Sequence, residues 1–226
     1  MRAHHHKATL LTAILSMALA GCGISAPLTI KDTSAPSASA RAVVRVGEDK
    51  RGGIEGEYTR LRAEGTQTTD YITTVFGTDV PGNAVLSHTA RVDRIFLGYN
   101  RLLFGDRPFE MEWYAGAAGE RITWTTVTAA AASPLGARQS AVGLSGGVLG
   151  RWKLGEPWAI EARVRGVTGR INGSRTELAV AVRPVRAVRV RLGYAQDTVY
   201  TRVKDAATRL ELTSRGPFVA LGVELD

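Results

Sequence analysis

Residues Ser140–Thr168 read SAVGLSGGVLGRWKL, then GEP, then WAIEARVRGVT, and their alternation decides the fold. In the first run Val142, Leu144, Val148, Trp152 and Leu154 share one parity, and Ser145, Arg151 and Lys153 the other. In the second, Trp158, Ile160, Ala162 and Val164 alternate with Glu161, Arg163 and Arg165. Successive side chains leave opposite faces of a strand, so a sustained period of two predicts β-structure. Gly155-Glu156-Pro157 joins the runs as a turn, which makes them an antiparallel hairpin with one apolar and one charged face.

Working outward, the pattern predicts eight strands, at about 52–65, 88–104, 109–126, 139–154, 158–169, 175–184, 187–201 and 208–225. Connections at 105–108, 155–157 and 185–186 are short; those at 66–87, 127–138, 170–174 and 202–207 are longer. Long loops at one end and short turns at the other suit a transmembrane barrel. The expected fold is all-β, an eight-stranded antiparallel up-and-down meander barrel over 52–226. Its layout resembles the small outer-membrane barrels of the OmpA and OmpX type. Those barrels usually end in an aromatic residue; this sequence ends Val223-Glu224-Leu225-Asp226, a departure from their pattern.

The first residues have another origin. Arg2 and Lys7 precede an apolar run, Leu10–Gly21, that is too short to span a bilayer as a helix. Leu19-Ala20-Gly21-Cys22 resembles the lipobox of bacterial lipoproteins. The resemblance implies that 1–21 is a signal peptide and that Cys22 is acylated, with palmitate among the expected chains. Gly23 in place of Asp implies outer-membrane sorting, with the anchor on the periplasmic side. Residues 22–51, rich in Ser, Ala and Pro, read as a disordered tether.

Composition narrows the chemistry. Cys22 is the only cysteine, so no disulfide forms within the chain. His4, His5 and His6 lie in the signal segment, and no metal site or cofactor is expected. The chain has 29 Lys+Arg and 21 Asp+Glu; removing 1–21 leaves 27 against 21, or +6. The bases are spread along strands, so anionic lipid is the expected partner and nucleic acid is not. A monomer is expected.

Alternation alone leaves the facing open. In a membrane barrel the apolar face meets lipid; in a lipid-anchored soluble lipocalin-like barrel it lines a ligand cavity. The charged parity carries nine acids (Glu55, Glu57, Glu110, Glu112, Glu120, Glu161, Glu177, Asp197, Glu211) and eight bases (Arg151, Lys153, Arg163, Arg165, Arg183, Arg189, Arg191, Arg209). That balance suits a closed lumen, where charge survives only when paired. Within it, Arg163, Arg165, Arg189 and Arg191 are expected to face Glu110, Glu112 and Glu161. Phe104, Phe109, Trp152 and Trp158 flank the short turns, and Trp124 and Tyr200 the longer loops, as two aromatic girdles. Arg60, Arg62, Arg94 and Arg121 fall on the apolar side; the first, second and fourth lie at the loop end, and Arg94 calls for a bulge.

No catalytic set emerges. His88 is the one histidine beyond the signal; Ser87 and Asp93 point to the opposite face of its strand. The glycine run 143–150 lacks the following helix of a phosphate loop and reads as strand glycines. The expected role is structural or surface-interacting, not enzymatic. Arg60, Arg62, Arg121, Arg138, Arg170, Arg175, Arg202 and Lys204, set against Asp70, Asp79 and Asp205, form a loop-end rim suited to lipid phosphates, including those of lipopolysaccharide.

Overall fold

The structure is a computed structural model that describes residues 27–46, 51–106, 108–203 and 208–225. Residues 1–21, expected from the sequence to be a signal peptide, and Cys22 lie outside the described residues, as do Lys204 and Asp205. The described residues contain twelve strands and no helix.

The fold is a closed β-barrel, with nine barrel strands where eight are expected from the sequence. The additional strand is β2 (Ser37–Val46), inside the segment read as a tether. β2 pairs antiparallel with β3 (Gly52–Thr68) and parallel with β12 (Arg209–Leu225), so the sheet is mixed and the seam is a parallel pair. β1 (Leu28–Ser34) continues the same parallel course along β12. The remaining wall is a meander of β6 (Val85–Asp106), β7 (Phe109–Val127), β8 (Leu135–Gly155), β9 (Trp158–Thr168), β10 (Ile171–Val185) and β11 (Val188–Arg202).

The reason β2 joins the wall is in SASARAVVRV. Ser37, Ser39, Arg41 and Val43 are buried, and Ala38, Ala40, Ala42 and Val44 point outward. That is the same period of two, written in small residues. The strand brings Arg41 to Glu55, and Arg45 to Glu112 and Glu224.

A hydrogen-bonded row can be followed round the wall. It runs from Ser140 through Arg121, Asp93, Arg60, Ala38, Val219, Leu192, Val180 and Ile160, and returns to β8 at Trp152. The return point lies twelve residues further along β8, the stagger that a closed barrel of tilted strands requires.

The outward parity is the apolar one. Val142 is 78% exposed, Leu144 71%, Leu97 62%, Leu192 58% and Val164 49%. On β8 the outward side chains from Val142 to Leu154 are apolar or glycine. At about 3.3 Å per residue and a tilt near 40°, they cover roughly 25–30 Å, about the height of an outer-membrane barrel's apolar band. Phe104, Phe109, Trp152 and Trp158 are exposed at its short-turn edge. Tyr200 is exposed toward the loop end, but Trp124 is buried inside, 1% exposed, and belongs to no girdle.

The interior has two halves. In the loop half Leu61, Ala63, Leu86, Val92, Ile122, Trp124, Ile171, Val199, Leu210 and Leu212 pack into an apolar core, joined by Leu28 and Ile30 of β1. The long loop after β3 folds inward as a small hairpin, β4 (Thr73–Val75) and β5 (Thr78–Val80). Phe76 and Gly77 both take positive φ at its tip, the geometry of a tight two-residue turn. Val75 and Val80 are wholly buried and cap the apolar core. The short-turn half is charged.

Candidate functional site

The charged half of the lumen is built in tiers. At the short-turn mouth Arg45 bonds Glu112 at 3.0 Å and Glu224 at 2.6 Å, and Arg183 reaches Glu224 at 2.5 Å. Arg151 bridges Glu110 at 2.6 Å and Glu161 at 2.8 Å; Lys153 also pairs with Glu110. Arg189 meets Glu161 at 3.1 Å.

In the middle tier Arg41 holds Glu55 with Nε at 2.8 Å and Nη2 at 2.7 Å. Arg163 takes the same carboxylate at 2.7 Å and also pairs with Glu57. Arg165 lies 3.2 Å from Glu57, and Arg191 3.0 Å from Glu177. Arg163 lies over the Tyr114 ring at 4.5 Å, and its Nε donates to Tyr114 Oη, which itself donates to Val164 O at 2.9 Å. Gly147 leaves room for this: a Cβ there would stand 2.5 Å from Tyr114 Oη and 2.0 Å from Val164 O. This is why a glycine interrupts β8 at that point. In the upper tier Arg175 bonds Glu177 at 2.5 Å and Asp197 at 2.6 Å, and Arg94 pairs with Glu120 and, at 3.4 Å, Asp197.

Among the described residues nine arginines therefore share the lumen with nine carboxylates, and Lys153 and Arg183 stand at the mouth. Most are buried, so each charge needs a partner, and removing one strands another. The network crosses the lumen from wall to wall, with a cavity of about 230 Å³ left among Arg45, Glu112, Arg151 and Glu224 at the mouth.

The sequence expectation is modified here in four places. Arg189 and Arg191 do face Glu161, but Arg163 and Arg165 turn to Glu55 and Glu57 rather than to Glu110, Glu112 and Glu161. Arg209 is exposed, and Glu211 shares its outward parity, so neither contributes to the lumen. Arg175 is not on the rim; it is 1% exposed inside the barrel, because it shares parity with Ile171 and Glu177. Arg94 is likewise inside, in phase with Val92 and Phe96. The bulge of β6 exists, between Leu102 and Phe104, and is not needed to place Arg94.

His88 lies above these tiers, where the outward residues of β6 are Ser87, Thr89 and Arg91, beyond the apolar band. It is 2% exposed. Trp124 Nε1 donates to its Nδ1 at 3.4 Å, and Thr126 Oγ1 stands 3.0 Å from the same nitrogen. Indole only donates, so Nδ1 accepts and the proton sits on Nε2. Burial lowers its pKa to about 4. Ser87 and Asp93 point outward, away from it.

A second site lies on the outer wall. Register sets Arg60, Asp93, Arg121 and Ser140 in one outward row across β3, β6, β7 and β8. The next row toward the loops holds Arg62, Arg91, Thr123 and Arg138; the next toward the turns holds Tyr58, Ile95, Gly119 and Val142. The change from apolar to cationic surface falls between two adjacent rows. Asp93 accepts from Arg60 Nε at 2.8 Å, Arg91 Nε at 2.9 Å and Tyr58 Oη at 2.6 Å. Among the described residues Arg121 reaches only Ser140 Oγ, at 3.4 Å, and Arg170 closes the far side of the groove from the β9–β10 turn.

Of the expected rim, Arg60, Arg121 and Arg170 are thus brought together. Arg62 is exposed and paired with Glu64 at 2.9 Å, while Arg138 and Arg202 are exposed outside the groove. Arg91 is the member missed from sequence; its shared parity with Asp93 and Ile95 carried the signal. Comparison with protein-family models, with curated proteins and with solved structures yields no match to this chain.

Proposed function

We propose that this chain is an integral outer-membrane β-barrel, lipid-anchored through Cys22 on the periplasmic side, with a closed lumen and a structural or surface-interaction role at its loop end. The observation that carries this reading is the inverted wall: exposed Val142, Leu144, Leu97, Leu192 and Val164 outside, buried ion pairs inside. A lipid solvent accounts for both faces, since lipid accepts an apolar exterior and a closed barrel satisfies its own backbone. In water the same exterior would be an exposed apolar belt far larger than soluble monomers carry. The lipobox of Leu19-Ala20-Gly21-Cys22 supports the anchor.

The cross-lumen ion pairs and the apolar core above them support a role without solute flux. Paired guanidinium and carboxylate groups occupy the charged half, and an apolar core capped by Val75 and Val80 occupies the other. The lipocalin-like alternative needs the apolar parity to line a cavity, and the burial pattern runs the other way.

The test is quenching of tryptophan fluorescence after reconstitution into vesicles of brominated lipid. Trp152 and Trp158 are about half exposed on the outer wall, and Trp124 is buried. With single-tryptophan variants, the first two should be quenched and Trp124 should not. Absence of quenching at Trp152 and Trp158 in protein bound to vesicles would overturn the reading.

A further inference from the structure

We propose that the outer-wall groove between Arg60, Arg91, Arg121 and Arg170 binds the phosphate of an anionic membrane lipid, whose acyl chains lie down the wall over Ile95 and Val142. The inference rests on the apolar band being the lipid-facing surface, and adds to it a specific site and ligand class.

Three observations meet in this groove. The first is charge. Arg60 and Arg91 share the single carboxylate of Asp93, and Arg121 and Arg170 have no ion pair among the described residues. Glu120 also lines the groove, but its carboxylate turns inward to Arg94, so four guanidinium groups against Asp93 leave a surplus of three positive charges in a groove of about 680 Å³. The second is donor type. All four cations are arginines, whose planar forks fit phosphate oxygens in pairs, and Tyr58 and Ser140 add hydroxyls at the edge.

The third is position. The row that holds Arg60 and Arg121 stands directly above the row that holds Ile95 and Val142, which are 61% and 78% exposed. A soluble anion would have no use for that apolar floor. A lipid has the phosphate at the head and the chains below, in the same order as the wall. Asp93 has a role consistent with this: its bonds to Arg60 and Arg91 hold two of the forks in place before ligand arrives. Such pre-positioning lowers the entropic cost of binding.

The experiment uses the full barrel in zwitterionic detergent, titrated with phosphatidic acid and, separately, with phosphatidylcholine and inorganic phosphate. Phosphatidic acid should bind, phosphatidylcholine should bind far more weakly, and inorganic phosphate should compete only poorly. Arg60→Gln, Arg91→Gln, Arg121→Gln and Arg170→Gln combined should abolish the preference. Arg121→Gln with Arg170→Gln, which breaks no ion pair, should weaken phosphatidic acid roughly 10- to 30-fold and flatten its salt dependence. Unchanged affinity in the double variant, with the fold intact, would overturn the proposal. Equal affinity for inorganic phosphate would also overturn it, in favour of a free-anion site. If the barrel with Cys22 replaced is soluble without detergent, the membrane reading fails first; if it still needs detergent and the variants bind normally, this inference alone fails.

Discussion

Arg41 grips Glu55 through two hydrogen bonds, Nε at 2.8 Å and Nη2 at 2.7 Å, between β2 and β3. The carboxylate is wholly buried and the guanidinium nearly so. This contact ties the parallel seam to the charge network, since Glu55 is also held by Arg163 and by Asn100 Nδ2 at 3.1 Å.

Arg41→Ala therefore removes one cation from a buried cluster and leaves Glu55 under-paired. Breaking one side of a buried pair costs about 3–5 kcal/mol. Urea unfolding of the reconstituted barrel should show a loss of that order. Replacing Arg41 and Glu55 together by methionine should restore much of it; no recovery in the double variant would contradict the coupling.

Val164 points outward at the level of the apolar band and is 49% exposed. Val164→Arg should cost about 2–4 kcal/mol in lipid, where an arginine near mid-bilayer is penalised by that amount. The same change at a half-exposed site in water would fall within about 0.5 kcal/mol. Unfolding free energies measured in vesicles distinguish the two. Thr198→Arg, on the outward face nearer the loops, serves as the control and should be close to neutral.

His88 gives a pH dependence of definite sign. Its folded pKa of about 4 lies below the ordinary value of 6.5, so the unfolded chain binds the proton more readily. Its contribution is complete above pH 6.5 and is lost as pH falls from there toward 4, by up to about 3 kcal/mol. Carboxyl groups of an unfolded chain titrate in part of the same range, so the quantity to measure is the difference between wild type and His88→Gln. That difference should shrink as pH drops from 7 to 4.5; a constant difference would contradict the buried neutral imidazole.

Much of the wall was legible because its signal is local. From Trp158 to Thr168 each odd or even position keeps its face, and the short turn at 155–157 fixes the partner. The lumen ion pairs followed from parity but their pairing did not, because Arg163 meets Glu55 across 108 residues and no local rule selects that carboxylate. β2 escaped for two reasons. Ser and Ala at alternating positions look like linker composition, and the strand closes the barrel in parallel against β12, without a turn to announce it. The contact between Arg45 and Glu224 spans 179 residues.

Arg175 and Trp124 were misplaced for a different reason. Both stand near the loop end, and proximity to a loop was read as exposure. The loop half of this barrel is instead filled by its own apolar core and the inward β4–β5 hairpin, so parity continues to decide burial up to the last turn. The arginine groove was half legible: Arg60 and Arg121 stood out as charges on the apolar side, and Arg170 as one of the loop-end arginines. Arg91 joined them only once register aligned the rows.

The most direct test of the central claim, that the apolar outer wall meets lipid, is extraction without the anchor. The chain with Cys22→Ser and an ordinary signal sequence is expressed, and its envelope fraction is washed with carbonate and then treated with detergent. The protein should stay with membranes through the carbonate wash and be released, folded, only by detergent. Release by carbonate as a soluble folded monomer would contradict it.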